Sequence, residues 1–479
     1  MRSHPADRSL SFARSGLLLM LAIVSSRGLA QHEHHDLPST DSIRHETRLY
    51  DVMHRGRVEG RFRMIGMMTE NAGDLSDYHA LAFGGVLGIA SERHKGFQFK
   101  LSGGFTFDLT SSDFSVTDAI TGQHSRYEIA LFDVKDPRNV NDLSYLHEFQ
   151  LNYLSRSERT LVVFGKQELN TAFLNGQDGR MHPTMFEGLW GSHRTPKDLL
   201  FRGGWLYRVA PRGTSEWEHV GESIGAYGGA TDVEGRPGMY PGNLESAGIF
   251  AASISAPFWK KRLRLTGWNI FTENIFNTAM LRLEAGNVTE GHFMAGIMAI
   301  RQDAVADGGN HVDSLAYLPK GSTSQVYSGR LALRTGRWTW QANYTRITPD
   351  SRYLFPREWG REPLYTFLTR ERNEGAGDVE AASINIIVKD LLPGLKVEGD
   401  AGVYWLPAPD DFRLNKYGIP SYTQYNANLQ YIFGGHWRGL AAQVLYVVKM
   451  PIRDVTPTAD QTINRVDMHH VTIALNYSF

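Results

Sequence analysis

Six cations stand in segments where most neighbouring residues are apolar, a setting in which an uncompensated charge is costly. Arg61 and Arg63 flank Phe62, and Arg282 separates Leu281 from Leu283. A guanidinium group attracts carboxylates and can bind one through two parallel hydrogen bonds. The chemistry that such a set offers is the binding or guidance of an anionic solute. The full set is Arg61, Arg63, Arg202, Arg282, Arg330 and Lys396.

A second group of cations lies in residues 359–378, which read WGREPLYTFLTRERNEGAGD. Arg361, Arg370 and Arg372 are interspersed with aromatic and aliphatic residues. This composition predicts a patch that recognises carboxylates. The alternative is a set of internal ion pairs, because the same segment contains Glu362, Glu371 and Glu374.

The element that must position these side chains is clearest in the last nine residues, 471–479 (VTIALNYSF). Apolar residues there occupy every second position, from Val471 to Phe479. Successive side chains of a strand point to opposite faces, so one face of this strand is wholly apolar. The pattern is typical of a strand that closes a transmembrane barrel and faces lipid. The same alternation recurs in residues 149–153, 338–345, 395–405 and 425–433, and it weakens in residues 184–193 and 262–276.

The connections between these strands alternate in length. Short ones fall near residues 91–96, 155–158, 195–198, 256–261, 334–337, 391–394 and 433–436. Long polar ones fall near residues 109–144, 209–244, 302–323, 347–377 and 406–421. A two-sheet sandwich also alternates, but it does not require this asymmetry. We therefore predict an all-β fold, a transmembrane antiparallel β-barrel of about 18 strands with short periplasmic turns and long extracellular loops, some folded into the lumen.

Barrel geometry constrains the cations as well. A cation facing lipid at mid-bilayer costs about 2–4 kcal/mol, so the six cations are predicted to face the lumen as a basic track. The alternative is that they only solvate the wall and pair with nearby carboxylates.

The connection within residues 165–188 is predicted to fold inward and narrow the pore, because turn formers such as Asn175 and Asp178 accompany apolar Phe173, Leu174 and Met181. An ordinary capping loop is the alternative.

The amino terminus predicts export. Arg2, Arg8 and Arg14 precede an apolar stretch, residues 16–24, and small residues at 28–30. This arrangement is typical of a cleaved signal peptide, and the stretch is shorter than the ~20 residues of a membrane helix. The predicted organisation is a signal peptide (1–30), a short periplasmic segment (31–56) and the barrel (57–479). The chain has no cysteine and a formal net charge of −1, so neither a disulfide framework nor a nucleic-acid partner is expected.

Enzymatic and metal-dependent functions are disfavoured. His147 has no serine two residues later, so a serine hydrolase built on the barrel wall is not expected, and no cofactor is predicted. Residues 31–56 are too few for the plug of an energy-coupled transporter. His32, His34 and His35 form a weak candidate metal site, and a mobile polar tail is the alternative reading.

Two segments carry a family resemblance. Residues 165–188 (GKQELNTAFLNGQDGRMHPTMFEG) resemble the G-R/K-Q-E-L…N…D-R…P…F-E-G stretch of the OprD family of outer-membrane porins, and residues 78–100 are similar to that family's second hairpin. The resemblance implies an eighteen-stranded monomeric barrel with inward loops, a narrow eyelet and a basic ladder that passes small carboxylate-bearing solutes. By this motif Asp178 and Arg180 belong to the constricting loop. The chain departs from the family in Ala172, where proline is common, and in its long 209–244 connection.

Taken together, these patterns predict a passive channel of a Gram-negative outer membrane for small, carboxylate-bearing solutes such as amino acids or peptides. The expected partners are outer-membrane lipid, a small solute and the barrel-assembly machinery, which would read the terminal strand ending in Phe479. A general porin and a structural or adhesion barrel are the alternatives. Whether the chain is a monomer or a trimer is left open by the sequence.

Overall fold

The computed structural model describes residues 56–141, 143–177, 179–286, 292–370, 372–452 and 456–479. Three predicted features lie outside these residues: the signal peptide, the histidine-rich segment with His32, His34 and His35, and Asp178 of the constricting loop. In the described part of the chain, no helix is long and apolar enough to cross a bilayer.

One antiparallel sheet of nineteen strands dominates the structure. Helical structure among the described residues consists of the short helix α1 (Ala459–Thr462) and a few single turns. The strands are β1 (Arg57–Asn71), β2 (Tyr78–Ala90), β3 (Phe97–Ser111), β4 (Leu143–Leu154), β5 (Thr160–Gln167), β6 (Met185–Arg194), β7 (Leu200–Ala210), β8 (Glu218–His219), β9 (Ile249–Phe258), β10 (Leu263–Thr272), β11 (Phe276–Gly286), β12 (Phe293–Ala304), β13 (Thr323–Thr335), β14 (Trp338–Ile347), β15 (Val379–Lys389), β16 (Leu395–Trp405), β17 (Tyr422–Ile432), β18 (Leu440–Pro451) and β19 (Met468–Ser478).

The sheet closes on itself. Each strand pairs with the next, β7 pairs directly with β9, and β19 pairs with β1 from Arg61↔Ser478 to Asn71↔Met468. The two-residue strand β8 only extends the end of β7, so eighteen strands form the cylinder. Closure leaves no sheet edge unpaired, which is the condition for spanning a bilayer with strands. The prediction of an all-β barrel of about eighteen strands is confirmed.

The two faces of the wall differ as the sequence alternation predicts. On β14, the rings of Trp338, Trp340 and Tyr344 point outward and are exposed, whereas Thr339 and Asn343 face the interior and are buried. Every second side chain of a strand shares a face, so a period of two separates an apolar exterior from a polar lumen. The exterior presents to lipid the aromatic belt that such barrels require.

The connections at the two ends of the cylinder are of unequal length. One end, here the turn rim, carries connections 91–96, 155–159, 195–199, 259–262, 287–292, 336–337, 390–394 and 433–439 together with both ends of the barrel. The other, the loop rim, carries connections 72–77, 112–142, 168–184, 211–248, 273–275, 305–322, 348–378, 406–421 and 452–467. The long loops lie on one side, as the sequence predicts.

The weak alternation near residues 184–193 has a structural cause. The register between β6 and β7 shifts between Glu187 and Gly188, so a bulge interrupts the period of two. A Cβ atom on Gly188 would lie 2.1 Å from the carbonyl oxygen of Trp205. Only glycine permits this close approach of the two strands, which explains why the apolar pattern fails there.

Phe479 adds contacts at the seam that closes the barrel, and these contacts give a first prediction. The backbone N–H of Phe479 donates to the carbonyl of Gly60 at 3.0 Å, and its ring lies 5.9 Å from the ring of Phe62. We expect Phe479→Ala to lower the stability of the barrel by about 1–2 kcal/mol, because the ring packing is lost while the backbone bonds remain. Heat-dependent electrophoretic mobility of the purified protein measures this change.

The control for that variant is Phe164→Ala, which removes an outward phenylalanine of β5, a strand that does not belong to the seam between β19 and β1. Equal loss of stability in both variants would show that the Phe479 ring stabilises the barrel no more than an outward side chain elsewhere on the wall.

Candidate functional site: a basic cavity inside the barrel

The lumen is partly filled by two loops that fold inward, residues 168–184 and 348–378. Phe173 and Leu174 of the first are fully buried, as are Phe355 and Trp359 of the second. The rings of Phe173 and Phe355 are 5.7 Å apart, and Trp359 packs on Phe276 of the wall at 5.9 Å. Apolar side chains drive these segments onto the wall rather than into solvent. The predicted inward folding of loops is confirmed.

Hydrogen bonds lock the two loops together. The Asn175 side chain donates to the Arg361 carbonyl at 3.0 Å and accepts from the Arg361 N–H at 3.1 Å. The Asn175 backbone N–H donates to the Trp359 carbonyl at 3.2 Å. A third loop, 211–248, joins them, because the Trp359 indole donates to the Ser223 hydroxyl at 2.8 Å. The three loops therefore form one plug-like assembly, which narrows the passage.

The space left by these loops is a cavity of about 1410 Å³ in the barrel interior. Of the described residues that line it, thirteen are Lys or Arg and five are Glu. The cations are Arg61, Arg63, Arg126, Arg180, Arg212, Arg282, Arg330, Arg357, Arg361, Arg370, Arg372, Lys416 and Arg465. The carboxylates are Glu168, Glu284, Glu358, Glu362 and Glu398. Such a surplus of cations in a confined lumen attracts anions and repels cations.

Two of the five carboxyl groups have pKa values that burial shifts upward. Glu358 and Glu362 lie in the loop 348–378 and are almost completely buried. Burial raises the pKa of both carboxyl groups, because low-polarity surroundings disfavour the charged form. In both groups the shift acts against the charged form.

Four guanidinium groups, here the constriction arginines, come close enough to influence each other electrostatically: Arg180, Arg212, Arg370 and Arg372. Arg212 donates to the Arg357 carbonyl at 2.9 Å, and Arg372 lies 3.9 Å from Glu362 and donates to Gln177. Arg370 donates to the hydroxyl of Thr472 on β19. Guanidinium groups stay charged at neutral pH even when burial lowers their pKa. The sequence predicted Arg180, Arg370 and Arg372 as site residues, but it did not predict Arg212.

The wall cations predicted to face inward hold different positions. Arg61 and Arg63 both line the cavity, but Arg63 donates to the Arg180 carbonyl at 2.6 Å and to Asn476 at 2.6 Å. Arg63 therefore also fastens the loop 168–184 to the wall. Arg282 and Arg330 share one carboxylate, Glu284, at 3.4 Å and 3.2 Å, which leaves a net positive charge at that point.

Arg202 and Lys396 are placed outside the cavity lining. Lys396 is near the turn rim and pairs with Glu398 at 2.7 Å. Arg202 lies on β7 two residues beyond the start of the strand, also at the turn rim. The structure does not bring these two together with the constriction arginines. In the second inward loop, Arg361 is exposed to the cavity, whereas Arg372 makes the internal contact with Glu362 that the alternative interpretation anticipated.

Lys416 is a cavity residue that the sequence reasoning missed. It belongs to the loop 406–421, and its ammonium group lies over the rings of Tyr317 at 4.5 Å, Tyr240 at 4.8 Å and Tyr417 at 5.5 Å. Cation–π contacts of this kind compensate a desolvated ammonium group. Arg126, Arg212, Arg357 and Arg465 were also missed. All five lie in loops, where no periodicity marks the direction of a side chain.

Lys416 gives a prediction about pH. Burial lowers the pKa of its ammonium group to about 8, against the opposing effect of Glu374 and Glu358. If the cavity conducts anions, its anion preference should fall between about pH 7 and pH 9, as this charge is lost. Lys416→Arg should flatten that decline, because a guanidinium does not titrate in this range. Reversal potentials across the pH series measure the effect.

The same pKa has a consequence for stability. The folded pKa is lower than that of the unfolded chain, so the unfolded chain binds more protons above about pH 8. The contribution of Lys416 to folding stability therefore rises with pH in that window, opposite in direction to its effect on anion preference. If anion preference and folding stability depended on pH in the same way in the Lys416→Arg variant and in the unmodified chain, both predictions would be contradicted.

Solved structures with the same architecture include proteins of Pseudomonas aeruginosa and Acinetobacter baumannii. OccK9 (OpdG) of Pseudomonas aeruginosa aligns with a TM-score of 0.68 at 15% identity, over 89% of this chain and 99% of that one. OccAB2 of Acinetobacter baumannii gives a TM-score of 0.66 at 14% identity, over 90% and 99%. The outer membrane protein OpdK of Pseudomonas aeruginosa gives 0.65 at 13% identity, over 89% and 99%, and this protein has also been crystallised with vanillate.

The chain has the fold of the OprD-family porins. The fold that the resemblance in residues 165–188 implied is thus confirmed, and at this level of identity the likeness concerns the fold. No protein-family model matches the sequence, and no curated protein is significantly similar to it.

Proposed function

We propose that this protein is a passive outer-membrane channel for small anionic solutes, in particular solutes that carry a carboxylate, such as amino acids or peptides. The observation that carries the proposal is the cavity, in which thirteen cations face five carboxylates inside an eighteen-stranded cylinder. Vanillate, seen with the structural neighbour OpdK, is itself a carboxylate and supports the same solute class.

The mechanism follows from the geometry. The outer face of the barrel meets lipid, and the three interlocked loops reduce the lumen to a narrow passage. A solute in the cavity is surrounded by cations of the loop-rim connections, such as Arg126 and Arg465, by the constriction arginines, and by wall cations such as Arg61 and Arg282. Each guanidinium replaces part of the hydration water that a carboxylate loses on entry. A neighbouring guanidinium competes for the same carboxylate, so the solute is not held at one place. Flux then follows the concentration gradient, without energy coupling or catalysis.

Export and assembly complete the proposal. Residues 1–30 would direct the chain across the inner membrane and be removed. The terminal strand β19, with outward Ile473 and terminal Phe479, would be recognised by the barrel-assembly machinery. In the proposed orientation the short connections of the turn rim face the periplasm and the long connections of the loop rim face the outside of the cell, as is usual for outer-membrane barrels.

Planar-bilayer recording tests the channel. The purified chain is reconstituted, and reversal potentials are measured in a gradient of potassium chloride and then in gradients of potassium glutamate and potassium succinate. We expect a small conductance with a preference for anions, including the organic ones. A large conductance without ion preference would instead establish a general porin. Absence of conductance in folded, inserted protein would favour the structural or adhesion barrel.

A further inference from the structure

Three neighbouring connections of the turn rim are in direct contact with each other. The N–H of Arg194, at the end of β6, donates to the Arg159 carbonyl in the turn 155–159 at 2.8 Å. Asp198, in the turn 195–199, pairs with Arg194 at 2.5 Å, with Arg264 at 3.6 Å and with Lys261 at 4.0 Å. The carboxylate of Asp198 thus joins Arg194 at the end of β6, Lys261 in the turn 259–262 and Arg264 at the start of β10. Residues 155–159, 194–199 and 259–264 form one continuous surface, here called the turn-rim patch.

The turn-rim patch is strongly basic. Besides the four cations just named, it contains Arg156, Lys197, Lys260 and Arg262, all of them exposed. The carboxylates in residues 155–159, 194–199 and 259–264 are Glu158 and Asp198, so these eight cations leave a formal charge of +6. The charge is concentrated in this sector, because elsewhere on the rim the connections 91–96, 336–337 and 433–439 each carry a formal charge of +1 and the connection 390–394 carries −1. The whole chain is nearly neutral, so this sector stands apart from the average composition.

The patch also sits where the lipid-facing surface ends. Phe258, the last residue of β9, faces outward, and the adjoining Trp259 is the most exposed tryptophan side chain of the described residues, at 67%. Aromatic side chains in this position occupy the headgroup level of a bilayer, and cations next to them meet lipid phosphates.

The backbone of the same turn is unusual. Trp259, Lys260 and Lys261 all have left-handed φ values, of 47°, 56° and 64°. Glycine or asparagine would adopt this conformation at lower cost. The presence of a tryptophan and two lysines there indicates that their side chains have a use that outweighs the strain.

We infer that the turn-rim patch binds the headgroups of anionic phospholipids, with Trp259 at the headgroup level and Lys260, Lys261 and Arg262 on the phosphates. The inference goes beyond the proposed transport function and depends only on insertion of the barrel in a bilayer. It assigns to one sector of the barrel, around β4 to β10, a preferred lipid environment in the leaflet that faces the turn rim.

The test compares lipid binding by native mass spectrometry. Full-length protein is delipidated in a neutral detergent and titrated with phosphatidylglycerol, and in parallel with phosphatidylethanolamine of the same acyl chains. The test variant carries Lys260→Gln, Lys261→Gln and Arg262→Gln. The matched control carries Arg236→Gln, Lys320→Gln and Arg413→Gln, three exposed cations of the loop rim.

We expect the unmodified chain to prefer phosphatidylglycerol in a salt-dependent manner and the test variant to bind it at least about tenfold more weakly. The control variant, and a second variant with Lys260→Arg and Lys261→Arg, should retain the affinity. Equal binding of both lipids by the unmodified chain, or unchanged affinity in the test variant, would overturn the inference. Competition by soluble polyglutamate without any preference for phosphatidylglycerol would also overturn it and point to an acidic protein partner. Conductance of the same preparations in zwitterionic bilayers tests the channel separately.

Discussion

Replacing Arg180 and Arg370 together with glutamine should reduce the preference of the channel for anions over cations at least about tenfold. A guanidinium about 5 Å from a carboxylate contributes about 3 kcal/mol at an effective dielectric constant of about 20, and desolvation of the two groups offsets much of it. A net contribution of about 0.7 kcal/mol from each arginine, or about 1.4 kcal/mol from the pair, is enough for a tenfold change in the ratio. Reversal potentials in a potassium glutamate gradient give the ratio directly.

These two arginines suit the experiment because their side chains hold little of the loop scaffold. The Arg180 side chain donates to the carbonyl of the adjacent Gly179, and the Arg370 side chain donates to the hydroxyl of Thr472 and lies over the ring of Tyr127. The matched control is Arg236→Gln with Arg301→Gln, which removes two exposed cations that do not line the cavity. If both double variants show the same selectivity, the constriction arginines do not set it.

Substitution of Trp359 by alanine should raise the single-channel conductance several-fold and weaken ion selectivity. Trp359 is fully buried between Phe276 of the wall and Phe355 of its own loop, and its indole N–H is bonded to Ser223. Loss of a buried tryptophan costs about 3–5 kcal/mol of packing. The cost falls on the loop assembly, because the wall keeps its own backbone hydrogen bonds, and the loops should leave the lumen more often.

The control for this variant is Trp405→Ala, which removes an outward tryptophan of β16. It should leave the conductance unchanged, and both variants should retain the sheet signal in circular dichroism. A conductance of Trp359→Ala equal to that of the unmodified chain would mean that the loops are held in place without this side chain.

The wall of the barrel could be predicted from the sequence because lipid imposes a strict rule on it. Outward Trp340 and Tyr344 alternate with inward Gln341 and Asn343, and a period of two is readable without any partner strand. The rule fails where a bulge changes the count, as at Gly188. Arg61 and Arg282 could be placed on the cavity side by the same reasoning.

The interior of the constriction could not be predicted in this way. Asn175 meets Arg361, and Arg212 meets Arg357, across large separations in sequence and within loops that have no periodicity. Lys416 is held by tyrosines from three different loops, which the sequence shows only as scattered aromatic residues. Composition identified the segments that fold inward, but the pairing between them depends on the closed wall that brings them face to face.

The bonds between Asn175 and Arg361, and between Trp359 and Ser223, have a consequence for engineering. A substrate preference cannot be transplanted from another barrel by exchanging a single segment, since the donor piece would leave the others without their partners. A workable chimera has to receive 168–184, 211–248 and 348–378 as one graft on an unaltered cylinder. Natural variation in this architecture should likewise change those three stretches in concert.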